Sequence, residues 1–126
     1  MIVSEKSISE VQQMIDEAQA NAKARLLKVD DIMNAIKDAE SKLNELGIAK
    51  KYWIGCRVII DPESVPMRYD FKAMGTCAVL ERKASGWDLV NVFRTKCKHE
   101  PYGRYMRFRL VLSEVAHNHI PKEYVL

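Results

Sequence analysis

Arg57 stands within Tyr52-Trp53-Ile54-Gly55-Cys56-Arg57-Val58-Ile59-Ile60, a run whose period-two alternation reads as a strand closed by Asp61-Pro62. Alternation puts Tyr52, Ile54, Cys56, Val58 and Ile60 on one face, and Trp53, Gly55, Arg57 and Ile59 on the other. An arginine with apolar neighbours needs a partner, because an unpaired charge there is costly. Its fork of donors matches phosphate or carboxylate in a two-point grip. A second set occurs in the run from Arg104 to Val115, where Tyr105, Arg107, Arg109 and Val111 share a face opposite Arg104, Met106, Phe108, Leu110 and Leu112. A third run groups Trp87, Leu89, Asn91 and Phe93, with Val90, Val92 and Arg94 opposite. Arginines beside aromatic rings on a sheet suit a ligand that carries both phosphates and a base. The candidate binding residues are therefore Arg57, Arg109, Arg107, Tyr105, Asn91 and Trp87. The competing reading is a solvated face in which Arg57 pairs with Asp88 or Glu81.

Signals for catalysis are sparse. His99, His117 and His119 are the only histidines, and Cys97-Lys98-His99 with His117-Asn118-His119 matches no established zinc spacing. The chain has no G-x-S-x-G, no phosphate-binding P-loop, and no paired carboxylates beside a histidine. An arginine-rich surface without a general base or nucleophile reads as capture rather than turnover, so neither enzyme activity nor a cofactor or metal is expected. Cys56, Cys77 and Cys97 are odd in number and widely spaced, which fits buried, reduced thiols in a reducing compartment.

These side chains need elements to hold them. From Ser7 to Leu46 there is neither Gly nor Pro; Ser7 and Glu10 form a capping box, and Gly47 supplies a stop. Ile8, Val11, Ile15, Ala18, Ala22, Val29, Ile32, Ile36, Ala39, Leu43 and Leu46 alternate by three and four, a heptad seam interrupted at Arg25. Either one long helix or a helical hairpin breaking near Lys28-Val29-Asp30-Asp31, with Asp30 as cap, satisfies this pattern. The long helix is favoured because nothing there demands a turn. A lone seam of that length must be buried on another subunit, so homo-oligomers are expected; an ordinary amphipathic helix lying on its own sheet is the alternative. After Gly47 the period changes to two. Strands are expected at 52–60, 76–82, 87–95 and 104–115, the middle pair joined across Lys83-Ala84-Ser85-Gly86, in an antiparallel meander. The fold class is thus α+β in a single domain, with residues 7–47 a helical oligomerisation arm and 51–126 an antiparallel sheet carrying the ligand face.

Composition agrees with a globular chain: of 126 residues, 48% are hydrophobic and 29% charged, with a net charge of +3. Charge is uneven. Residues 1–50 hold 7 Lys/Arg and 9 Asp/Glu, whereas 51–126 hold 13 and 8. The basic half is the one expected to meet an anion. No stretch approaches the ~20 apolar residues of a membrane span, and the first ten residues lack the basic-then-apolar pattern of a secretion signal, so a cytoplasmic protein is expected.

With Arg57 in the first strand after the helices and Arg109 in the last, the layout resembles the first family of Thoeris anti-defence proteins. These are small phage proteins that act as sponges. The resemblance implies a non-catalytic oligomer that sequesters a cyclic ADP-ribose-type signal inside the bacterial host cell, with Arg57 and Arg109 as phosphate contacts. It also implies cyclic oligonucleotides as further ligands at subunit interfaces. Two other readings compete: an anti-CRISPR-like or single-stranded nucleic-acid binder, for which a basic excess of five is low, and an interaction protein whose helical arm is its purpose.

Overall fold

The chain is described by a computed structural model over residues 8–19, 27–62, 72–98 and 106–121. Within these lie α1 (Ile8–Gln19), α2 (Val29–Glu45), a 3-10 turn (Lys50–Tyr52), β1 (Arg57–Pro62), β2 (Lys72–Lys83), β3 (Gly86–Lys98), β4 (Met106–Val111) and α3 (Glu114–Asn118). The α+β class is as expected, but one long helix is not what forms. α1 has 12 residues and α2 has 17, and the backbone at Lys28 is extended with φ −127° and ψ 160°. Leu27 and Lys28 are non-helical and α2 begins at Val29, inside the stretch where a break was the alternative. Asp31, rather than Asp30, does the capping: its Oδ2 accepts from the Lys28 N–H at 2.8 Å. That bond satisfies a backbone donor a helix start would otherwise leave unmet. The capping residue Ser7 lies outside the described residues.

Most of the described seam is filled from within the chain, although Ile8 at its start is exposed. Val11, Ile15, Ile32, Ile36, Ala39 and Leu43 are all buried, in one core with Val58, Ile60, Ala78, Leu80, Trp87 and Leu89 of the sheet. α1 lies near β3, and α2 lies across β1 and β4. Ala35 and Ala39, both fully covered, let α2 approach the strands closely. A period between 3.5 and 3.6 describes a coiled-coil seam and a sheet-facing stripe equally well, so spacing alone left this open. With Val11, Ile15, Ile32, Ile36, Ala39 and Leu43 covered by the chain itself, the seam no longer argues for assembly through the N-terminal helices.

All strand pairs are antiparallel, in the order β3-β2-β1-β4. This corrects the meander: the fourth strand returns beside the first, the Greek-key order. Beside β1, the partly buried Phe108 and Leu110 of β4 pack against the core beneath α2. Other boundaries shift as well. Residues 52–56 are not strand; the chain turns at Gly55, whose φ is +89° and whose missing Cβ would stand 3.2 Å from that of Ser113. Trp53 is buried and Ile54 exposed, the reverse of what alternation from Arg57 would give Trp53. The hairpin between β2 and β3 turns at Ala84-Ser85. The last strand stops at Val111, and Ser113 caps α3 by accepting from the Ala116 N–H at 3.1 Å. Cys56 and Cys77 are buried free thiols; the Cys97 side chain lies outside the described ones.

Candidate functional site

The sheet face turned away from the helices carries the arginines. On β1, Val58 and Ile60 point into the core while Arg57 points outward; Arg107 and Arg109 are exposed on β4. Alternation had put Arg107 and Arg109 on one face of their strand, as here. Register brings the three together: Arg57 lies opposite Val111, and Ile59 opposite Arg109. Arg57 and Arg109 are thus diagonal neighbours across one strand pair, roughly 7–8 Å apart at the backbone. The row through Arg109 runs Asn91, Val79, Ile59, Arg109 over β3, β2, β1 and β4. Its middle is a half-buried apolar strip of Val79 and Ile59, extended by the exposed Val111.

Trp87 does not belong to this face. It is 1% exposed, and its indole Nε1–H donates to Glu40 Oε2 of α2 at 3.3 Å. A β-bulge separates it from Asn91. Val79 pairs with Asn91 but Leu80 pairs with Leu89, so Val90 has no opposite number. The extra residue reverses the alternation. Trp87 and Leu89 therefore face the helices, whereas Asn91 and Phe93 face outward with the arginines. Tyr105 lies outside the described residues.

Each arginine already holds a carboxylate. Arg57 Nε donates to Glu81 Oε1 at 3.0 Å, and Lys83 Nζ reaches Glu81 Oε2 at 2.8 Å. The pairing of Arg57 with Glu81, one of the two alternatives read from sequence, is thus present. Lys83 beside Glu81 lowers its pKa below the ordinary value of 4.5, and Arg57 lowers it further. On β4, Arg107 grips Asp61 with two parallel bonds, Nε to Oδ1 at 3.1 Å and Nη2 to Oδ2 at 3.3 Å; Arg109 Nη2 shares that Oδ2 at 3.3 Å. Both groups place two cations around one carboxylate, and a second carboxylate, Asp88, stands opposite Glu81 on β3. Arg57 and Arg109 remain 56% and 50% exposed at the side chain, so these pairs sit in water and contribute at most about 1 kcal/mol each. Among the described residues Arg57 donates through Nε alone and Arg109 through Nη2 alone, so both keep donors to spare.

Sequence reading missed Asp61, taken only as the end of a strand, and took Lys83 only as part of the turn between two strands. The signal for Asp61 was its spacing of two and four residues from Ile59 and Arg57, which fixes it on their face once the strand is extended to Pro62. Elsewhere, a cavity of about 370 Å³ between α1 and the start of α2, lined by Gln12, Gln19, Leu27 and Lys28 among others, shares no residue with this face. Among the described residues no three His, Cys, Asp or Glu side chains cluster to hold a metal, and no helix is long and apolar enough to cross a membrane. The chain matches no family model, no curated protein and no solved structure.

Proposed function

We propose that the outer sheet face captures a compact, phosphate-bearing ligand of the nucleotide class and does not convert it. The observation that carries this is the pair Arg57 and Arg109, diagonal across β1 and β4 around Ile59, each oriented by one carboxylate and each with unused donors. Oriented guanidinium groups suit phosphate, and the strip of Ile59, Val79 and Val111 offers an apolar floor for a base or sugar. The resemblance to Thoeris anti-defence sponges makes a cyclic ADP-ribose-type signal the first ligand to test, acting in the host cytoplasm. Assembly through the helical arm is not carried into this proposal, since most of the arm's described seam is covered by the chain itself.

Calorimetric titration with cyclic ADP-ribose variants tests the reading. Replacing Arg57 or Arg109 with Ala is expected to weaken binding by about 1.5–3 kcal/mol, the worth of a hydrogen bond to a charged group, or about ten- to a hundredfold or more. Ligand released by denaturing the complex is expected to be chemically intact. Parent-like binding by both variants would sink the proposal. A second reading, single-stranded nucleic acid, draws on Phe93, exposed on the same face and free to stack a base. Its mark is affinity for an oligonucleotide that falls steeply with salt, as many phosphate contacts require.

A further inference from the structure

Resting on the ligand reading above, we infer that Asp61 is the positioning residue of the arginine face, the group that holds Arg107 and Arg109 ready for a phosphate. Asp61 lies directly opposite Arg107 across the β1–β4 ladder, and its side chain is only 17% exposed. It takes three guanidinium bonds, two from Arg107 and one from Arg109. The two arginines stand two residues apart on the same face of one strand, where like charges repel. One carboxylate between them draws both side chains inward and holds their planes. Arg109, opposite Ile59, then keeps Nε and Nη1 as unused donors on a side chain that the ligand does not have to order.

An acidic residue in an anion site has two opposed effects, and they separate with salt. As a plain charge, Asp61 repels phosphate, so its removal tightens binding in dilute salt, and the gain fades as the screening length drops from about 10 Å at 0.1 M to about 3 Å at 1 M. As a positioning group, its removal frees two long side chains that the ligand must then order, which weakens binding at either salt concentration. The inferred role is the second.

The experiment titrates inorganic pyrophosphate into the parent, Asp61→Asn and Asp61→Ser at ~0.1 M and ~1 M salt. Nitrogen-15 spectra of the arginine Nε–H groups follow side-chain order in parallel. Both variants are expected to bind about five- to tenfold more weakly at each salt concentration, with Arg107 and Arg109 Nε–H exchange sped up and the melting curve little changed. Tighter or unchanged binding in either variant, with the parent binding, overturns the role of Asp61 and leaves the ligand reading standing. Failure of the parent to bind pyrophosphate and the nucleotide alike overturns both.

Discussion

Arg57 and Glu81 show how little a paired charge says by itself about stability and how much about readiness. The Arg57 side chain is more than half exposed, so its pair with Glu81 at 3.0 Å contributes under about 1 kcal/mol. Its value lies in aiming the guanidinium. The pair does leave a trace in acid. Lys83 first, then Arg57, lowers the Glu81 pKa below 4.5, so the folded state favours the charged carboxylate. Stability from this source is full above the unfolded value and is lost as pH falls through the lowered folded one. Glu81→Gln is therefore expected to be less stable than the parent at neutral pH by at most about 1 kcal/mol. That gap should close in urea titrations as the pH drops below 4.5; a gap that persisted into stronger acid would contradict the assignment. Arg57→Lys is expected to recover only part of the binding lost in Arg57→Ala, since an ammonium has no planar fork.

At the scale of elements, the bulge in β3 decides what the outer face contains. Val90 has no partner across the β2–β3 ladder, and beyond it the side chains resume alternation with Asn91 and Phe93 outward. Deleting Val90 removes the extra residue and leaves Leu89 against Leu80 and Asn91 against Val79. The deletion is expected to fold and keep Asn91 and Phe93 outward. Deleting Val92 instead shifts Phe93 into the core row and is expected to unfold the protein or lower its melting temperature sharply, because a one-residue slip exchanges faces. Comparable melting curves for the two deletions would show that this bulge does not set the register.

For the whole molecule, the central fact is that the helices and the sheet share one core. Ile32 is completely buried between α2 and the strands. Ile32→Ala is expected to cost about 2–5 kcal/mol of folding stability, the range for emptying a buried aliphatic site. Light scattering should give the same mass for parent and variant; a fall in mass for the variant would restore the seam to an interface between copies. Several features were legible in the residues alone. The change of period after Gly47 separated helix from strand, and alternation set Arg107 and Arg109 on one side of their strand, because both depend on neighbours close in sequence. At Lys28 only the aspartates after it offered a break, which the absence of Gly and Pro outweighed. The bulge at Val90 carries no Gly or Pro, so no local residue announced it. Trp87 was misplaced for that reason. What covers the seam, which strand lies beside β1, and which carboxylate each arginine finds are contacts between residues far apart in sequence. Asp61 meets Arg107 and Arg109 only because β4 returns to the free side of β1, a choice made by burying Phe108 and Leu110 beneath α2.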